Sequence, residues 1–150
     1  MQIDTYNETT DTTELINLVL RLADFSLPRR VDKEKFIKKQ VNMLEEDLKN
    51  KSGLILTVKD GKKLLGFIQL QAEVDWISGE EYGYISRLVV SKEAEGQGIG
   101  QKLIGLAEKW AMENEYTAIG LNVFSQNTKA VTFYEKLGYQ TETIKMMKDL

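Results

Sequence analysis

Residues 88–103 read Leu-Val-Val-Ser-Lys-Glu-Ala-Glu-Gly-Gln-Gly-Ile-Gly-Gln-Lys-Leu, an apolar run followed by three alternating glycines. We predict that a strand ends near Val90 and that a helix begins near Gly98, because an amphipathic pattern follows. Glycine lets the main chain pass close to a ligand. The first turn of a helix offers unpaired N–H groups and the positive end of a dipole. The segment therefore predicts a phosphate site.

The glycine spacing fits neither of two common nucleotide-binding motifs. A Walker A loop needs G-x-x-x-x-G-K-[ST], which the sequence lacks. The dinucleotide fingerprint G-x-G-x-x-G fails because its third glycine position holds Leu103 when counted from Gly98, and Gln101 when counted from Gly96. A nicotinamide cofactor is therefore disfavoured, and a plain flexible surface turn stays open as the alternative.

Downstream of the glycines, the pattern predicts a helix and a strand that complete a crossover unit. One face of the helix carries the apolar residues Leu103, Ile104, Ala107, Trp110 and Ala111. Alternating apolar residues at 119, 121 and 123 predict a strand, so residues 84–123 form a right-handed parallel crossover. Asn127 is expected to cap a short helix that runs through Leu137 to Gly138. Residues 139–147 are predicted to be a final strand.

Upstream of the glycines, the sequence predicts an antiparallel meander. Its strands are residues 54–58, 64–74 and 84–90. Asp60-Gly61 is a hairpin turn signal between the first two, and residues 75–82 connect the second strand to the third.

The N-terminal region adds a short strand and two helices. The strand is predicted at residues 3–6, and Asp11 and Asp32 are expected to cap the two amphipathic helices that follow. We therefore predict a single α/β domain over residues 1–150. Its sheet is mixed, mostly antiparallel and twisted, with helices on both faces.

Composition excludes several function classes. The chain of 150 residues is 42% hydrophobic and suits one domain, and its net charge of −3 argues against nucleic-acid binding. No apolar run approaches the about 20 residues of a membrane helix, and no signal-peptide pattern is present, so we expect a cytoplasmic protein without a membrane partner. Cysteine and histidine are both absent, which excludes disulfides, a Cys/His zinc site and a Ser-His-Asp triad.

Two ordered motifs resemble those of GNAT acetyltransferases. Residues 88–103 look like the acyl-CoA pyrophosphate motif, and Asn127-x-x-Ala130-x-x-Phe133-Tyr134-x-x-x-Gly138-Tyr139 looks like the motif that follows it in the family. Their order and separation match, and together they cover the C-terminal half of the chain. The resemblance implies a GNAT-like fold with acetyl-CoA as co-substrate and no metal. The meander and the N-terminal helices fit the family layout more loosely.

The resemblance also implies site residues. The main chain of the strand end would pair with the pantetheine arm like an added strand, at Leu88, Val89 and Val90. The N–H groups of the turn would bind the pyrophosphate, at Gly96, Gln97, Gly98, Ile99, Gly100 and Gln101. Asn127 would lie near the pantetheine or an ordered water, and Tyr134 would face the cofactor sulfur. Glu95 departs from the Arg or Gln that the family often has there, and an acid beside a pyrophosphate is unfavourable unless it turns to solvent.

A direct attack of the amine in a ternary complex is expected, because no cysteine or histidine can carry the acetyl group. A main-chain N–H near Val89 or Val90 would stabilise the oxyanion. Tyr134 is the expected proton donor to the leaving thiolate, whose solution pKa of about 8.5 is near the value of about 10 for tyrosine. The base stays open. Some relatives use a carboxylate where this chain has Asn122, and the remaining candidates are water, Glu73, Asp75, Glu80 and Glu81.

The acceptor is less defined than the donor. Acids and aromatics within residues 73–84 are able to attract and cradle a cationic amine, so a small-molecule amine or a peptide amine is expected. The same segment is also compatible with a plain acidic loop. Trp76 is compatible with a contact in a homodimer. Two alternative functions remain: a non-catalytic acyl-CoA-binding sensor or interaction module, and a nucleotide-phosphate binder of another fold.

Overall fold

The computed structural model describes all 150 residues of the chain. Five strands form one sheet in the order β1-β2-β3-β4-β5. Their bounds are β1 Gln2–Thr5, β2 Leu54–Asp60, β3 Lys63–Val74, β4 Glu81–Val90 and β5 Ile119–Leu121. The helices are α1 Glu8–Val19, α2 Lys33–Asn50, α3 Ile99–Glu113 and α4 Thr128–Lys136, with 3₁₀ turns at Leu20–Ala23 and Lys92–Ala94. β1 to β4 pair antiparallel and β5 pairs parallel to β4, which confirms the predicted meander and crossover.

The sheet has a hydrophobic cluster on each face. On one face α3 supplies Ile99, Leu103, Ile104 and Ala107, which pack against residues of β2, β3 and β4. On the other face α1 and α2 supply Leu15, Leu18, Val19 and Leu44, which pack against Ile55, Leu64, Phe67 and Val89. The prediction of a mixed sheet with helices on both faces is therefore confirmed.

A buried polar network ties α2 to the sheet. Nη1 of Arg87 donates to Oδ2 of Asp47 at 2.6 Å and to Oε1 of Gln69. Nε2 of Gln69 donates to Asp47 at 3.2 Å and to the carbonyl of Ser52 at 3.0 Å. Because Arg87 is only 6% exposed, its charge needs these partners, and the network holds α2 against β3 and β4.

The N-terminal cap differs from the prediction. Asn7, not Asp11, caps α1, since its side chain accepts from the N–H of Thr9 at 2.9 Å. Asp11 lies inside the helix, where its carboxylate accepts from the N–H of Asn7 at 2.8 Å and pairs with Lys59 at 2.7 Å. Both residues are of the type that caps helices, and in the structure Asp11 instead bonds to Asn7, Thr10 and Lys59. The predicted cap of α2 is confirmed, because Asp32 accepts from the N–H of Lys35 at 2.8 Å.

The predicted final strand at residues 139–147 is wrong. Residues 139–150 belong to no helix or strand, and Ile144, Met146 and Met147 are exposed. The available edge is β5, which is only three residues long, so it offers a short template for pairing. β4 also begins at Glu81 rather than at Tyr84, because the connection from β3 is a tighter turn than predicted.

None of the helices has the length and apolar character of a membrane-spanning segment.

Candidate active site

β4 continues beyond its last pair with β5, and we call the region beside this unpaired stretch the cleft. The two strands pair only at Gly83↔Ile119, Tyr84↔Gly120 and Ile85↔Leu121, whereas β4 continues to Val90. The register between β3 and β4 shifts at this point, because Gln69 faces Arg87 and Leu70 faces Ile85, which leaves Ser86 as the extra residue of a bulge. A bulge bends its strand, and this bend accounts for the separation of β4 from β5.

The predicted pantetheine residues lie along the separated part of β4. β3 flanks Leu88, Val89 and Val90 on one side, and β5 does not reach them on the other. Their side chains alternate between the two hydrophobic clusters, with Val89 on the α1 and α2 face and its two neighbours on the α3 face. The carbonyl of Val90 already accepts a hydrogen bond from Nη1 of Arg21.

The glycine turn contains main-chain N–H groups that have no acceptor within the protein. Gly96 and Gly98 have φ of +75° and +77°, a conformation that L side chains rarely adopt. The first turn hydrogen bond of α3 runs from the N–H of Lys102 to the carbonyl of Gly98 at 3.0 Å. The N–H groups without a protein acceptor are those of Gly96, Gly98, Ile99, Gly100 and Gln101. The N–H of Gln97 bonds weakly to Ala94 at 3.4 Å, so it is the exception among the predicted donors.

The orientation of this turn is set by packing on both sides. The side chain of Ile99 is 1% exposed and belongs to the α3 cluster, which anchors the start of the helix. A Cβ at Gly100 would stand 3.2 Å from Cζ of Phe133 on α4. Gly100 therefore allows α4 to pack close to the first turn of α3.

Two cations neutralise Glu95. Nη2 of Arg21 donates to Oε1 of Glu95 at 2.5 Å, and Nζ of Lys129 donates to Oε2 at 3.0 Å. The hydrogen bond from Arg21, followed by that from Lys129, lowers the pKa of Glu95 to about 2. The expected repulsion between this carboxylate and a pyrophosphate is thus offset within the protein. Sequence reasoning missed Arg21 and Lys129, since neither position belongs to the fixed residues of either motif.

Helix α4 places Asn127 and Tyr134 near the cleft. The side chain of Asn127 caps α4 by accepting from the N–H of Ala130 at 3.3 Å, as predicted. The ring of Tyr134 contacts those of Phe133 and Tyr139, with centroid separations of 5.2 and 5.7 Å. Its hydroxyl has no protein hydrogen-bond partner, and burial raises the pKa of Tyr134 to about 12. Tyr134 therefore stays protonated throughout the neutral range.

The carboxylates considered as general bases lie far along the sheet. Glu73, Asp75, Glu80 and Glu81 all lie at the hairpin between β3 and β4. Seven residues separate Glu81 from Leu88, or about 23 Å at the rise of an extended strand. Asn122 donates instead to the hydroxyl of Tyr84 at 3.1 Å. The structure therefore does not bring these acids to the separated part of β4.

The sequence profile of the acetyltransferase (GNAT) family matches residues 16–139 of this chain. The match covers most of the chain and includes both motifs, so the chain belongs to the GNAT family. It is an enzyme of the acetyltransferase type, a class that transfers acyl groups.

Individual relatives agree with this family. The uncharacterized N-acetyltransferase YhfO of Bacillus subtilis (strain 168) is 28% identical over 100 residues, which are 67% of each protein. A mycothiol acetyltransferase of Pseudarthrobacter chlorophenolicus is 30% identical over 96 residues, which are 64% of this chain but 30% of that protein. The chain thus spans well under half the length of the mycothiol enzyme.

Solved structures show the same fold. A Pyrococcus furiosus protein described as an acetyl transferase superposes with a TM-score of 0.78 and 24% identity, covering 99% of this chain and all of that one. The ribosomal-protein-alanine N-acetyltransferase of Brucella melitensis biovar Abortus 2308 superposes with a TM-score of 0.73 and 17% identity, covering both chains completely. At these identities the likeness concerns the fold alone.

Proposed function

We propose that this chain transfers the acetyl group of acetyl-CoA to a primary amine, by direct attack in a ternary complex. One observation carries the proposal: unpaired N–H groups at the start of α3 adjoin a stretch of β4 that has lost its neighbour strand. The first feature suits a diphosphate and the second suits an extended amide-bearing arm. Coenzyme A has both chemical parts in one molecule.

In this proposal the main chain holds the donor. The N–H groups from Gly96 to Gln101 bind the pyrophosphate, with that of Gln97 breaking its long bond to Ala94. Residues 88–90 pair with the pantetheine, and the N–H of Val89 or Val90 stabilises the oxyanion. Asn127, whose oxygen is used by its cap, contributes its amide nitrogen. Binding in this way fixes the thioester in the cleft, which lowers the entropic cost of attack.

Tyr134 supports the leaving group by hydrogen bonding. Burial raises the pKa of Tyr134 to about 12, so the phenol keeps its proton at neutral pH and is available as a hydrogen-bond donor. The thiolate is therefore stabilised by a donated hydrogen bond from the phenol and takes its proton later from water. In this proposal Tyr134 donates a hydrogen bond, whereas the unperturbed pKa values predicted that it donates its proton.

Water is the proposed proton acceptor for the ammonium. The separated stretch of β4 begins at Ser86, five residues after Glu81 and four after Tyr82, the partner of Glu73, so about 13 Å or more of extended strand lies between these acids and that stretch. A primary amine with a pKa of about 10.4 is mostly protonated at neutral pH. We therefore expect kcat/KM to rise about tenfold per pH unit from pH 7 to pH 9, following the free-amine fraction.

The test combines binding with turnover. Calorimetry should detect acetyl-CoA at micromolar to low millimolar concentration, and an amine panel should release free thiol with formation of the N-acetyl product. Binding without release from any amine would instead favour the acyl-CoA sensor. No heat with acetyl-CoA at millimolar concentration would refute the donor site itself.

A further inference from the structure

Three phenylalanine rings form a cluster outside both hydrophobic cores. Phe124 contacts Phe25 and Phe36, with ring centroids 5.4 and 6.1 Å apart. Neither hydrophobic cluster of the sheet includes any of the three. Phe124 is 39% exposed, and the other two are half-buried. We call these residues the phenylalanine cluster. An aromatic group that is exposed and not used by the core is a candidate ligand surface.

The phenylalanine cluster borders the cleft from the face opposite α3. Phe124 follows the end of β5, and its carbonyl accepts from the N–H of Asn127 at 2.9 Å, next to the helix that carries Tyr134. Phe25 lies four residues after Arg21, whose guanidinium holds the carbonyl of Val90 at the end of β4. Phe124 thus lies three residues beyond the end of β5, and Phe25 follows the 3₁₀ turn whose Arg21 contacts the end of β4. Phe36 adds a wall from α2, on the sheet face that α3 does not cover.

The sequence that joins Phe25 to Phe36 has no excess of acidic residues that would favour a polycation. From Asp24 to Phe36 the basic residues are Arg29, Arg30, Lys33 and Lys35, and the acidic residues are Asp24, Asp32 and Glu34. Asp24 is paired with Arg21 at 2.9 Å, and Asp32 caps α2. The acids that sequence reasoning offered as a cradle for cations lie at the distant hairpin instead.

We infer that the acceptor is a small monoamine with an aromatic body, of the arylalkylamine class, whose ring packs against Phe25, Phe36 and Phe124. The inference rests on the proposed acetyl transfer and specifies its substrate. The ring binds on the α1 and α2 side, and the amine points into the cleft toward the thioester. Offset or edge-on contacts between aromatic rings give this surface its selectivity.

The first experiment compares three amines at saturating acetyl-CoA: 2-phenylethylamine, ethylamine and spermidine. After correction for the free-amine fraction, we expect kcat/KM for 2-phenylethylamine to exceed that for the other two by about 10- to 100-fold, as full burial of one ring allows. Equal or higher efficiency with spermidine or ethylamine overturns the inference while leaving acetyl transfer intact.

The second experiment uses Phe124→Ala, with Phe124→Leu as the conservative variant. Phe124→Ala should raise KM for 2-phenylethylamine about tenfold while leaving the KM for acetyl-CoA and the efficiency with ethylamine unchanged, and Phe124→Leu should recover part of the loss. Trp76→Ala is the matched control, because Trp76 is an 83% exposed aromatic at the far hairpin. Equal losses for all amines, with a lower Tm, would show that the cluster only packs.

A binding measurement keeps the inference testable without turnover. Calorimetric titration of 2-phenylethylamine into the protein saturated with CoA should show binding that Phe124→Ala weakens and Trp76→Ala does not. Binding that is absent, or that does not depend on Phe124, overturns the assignment of the acceptor. Absence of CoA binding in the same instrument would instead refute the proposed function.

Discussion

The two sides of the cleft differ in whether main-chain or side-chain groups form them. The proposed donor side consists of main-chain N–H groups and glycines within one short segment, residues 96–101, beside α4. The proposed acceptor side consists of side chains from three distant segments, represented by Phe25, Phe36 and Phe124. A main-chain site imposes a local requirement, because a positive φ selects glycine wherever it occurs. A side-chain site imposes none, since its members meet only after folding.

The substitution with the largest expected effect on kcat tests whether catalysis at the proposed donor side needs a side chain. Tyr134→Phe removes the hydroxyl that we propose as hydrogen-bond donor to the thiolate. We expect kcat to fall about 30- to 100-fold, with the KM for acetyl-CoA changed less than about twofold. Steady-state kinetics with thiol release measures both values.

Tyr139→Phe is the matched control for that variant. Tyr139 is the aromatic neighbour of Tyr134, but its hydroxyl donates to Glu108 at 3.3 Å on the surface of α3. Its loss should leave kcat within about twofold. Equal losses in the two variants would mean that this region contributes packing alone, and that the donor side works entirely through its main chain.

The same contrast between local and distant contacts explains which features the sequence could predict. The meander, the crossover and the caps of α2 and α4 were predicted because each has a local signature, such as Asp32 three residues before the N–H it accepts. The cap of α1 was wrong because Asn7 and Asp11 fit the same pattern, and Asp11 instead pairs with a lysine on β2. The strand at residues 139–147 was wrong because pairing depends on a distant edge rather than on local composition.

In the candidate site, too, the main-chain features could be predicted from the sequence and the side-chain contacts could not. The glycine turn could be located from the sequence, and the structure places its N–H groups at the start of α3, where they stay predicted ligands of a phosphate. Arg21 could not be found, because its contact with Glu95 spans 74 positions of sequence. The phenylalanine cluster was also missed, and the acids considered for attracting the amine lie at the hairpin where β4 begins.

A substitution with a smaller expected effect tests whether acetyl-CoA binding requires the main-chain conformation of the glycine turn. Gly98→Ala places a Cβ at φ of +77°, where no neighbouring atom lies within 4 Å, so conformational strain is the sole cost of the substitution. That strain is worth about 1–2 kcal/mol. If the strained turn relaxes, its N–H groups turn away from the ligand, and we expect the Kd of acetyl-CoA to rise about tenfold in calorimetry.

Gly105→Ala controls for the loss of glycine itself. Gly105 lies in the middle of α3, also without neighbours within 4 Å but without a positive φ. Alanine there should leave the Kd unchanged and stabilise the helix by about 0.5–1 kcal/mol, raising the Tm. If both variants bind acetyl-CoA as well as the native chain, the turn does not act through its main-chain conformation.

The smallest expected effect concerns the ion pair beside the main-chain site. Arg21→Gln leaves the carboxylate of Glu95 beside the diphosphate with Lys129 as its only cation. We expect the Kd of acetyl-CoA to rise about threefold, as for a partly exposed ion pair. Glu95→Gln should change it less than twofold, and the double variant should bind better than Arg21→Gln. Additive losses in this double-mutant cycle would show that the two residues act independently.

The pH dependence of this ion pair has a definite sign. Because Arg21 and, second, Lys129 lower the pKa of Glu95 from 4.5 to about 2, the favourable interaction is present above about pH 4.5 and is lost only as the pH falls toward 2. In the native protein the affinity for acetyl-CoA should therefore show no titration of Glu95 between pH 4.5 and 7. In Arg21→Gln the pKa moves back toward 4.5, which NMR titration of the Glu95 carboxyl would detect. An unchanged midpoint in that variant would assign the shift to Lys129.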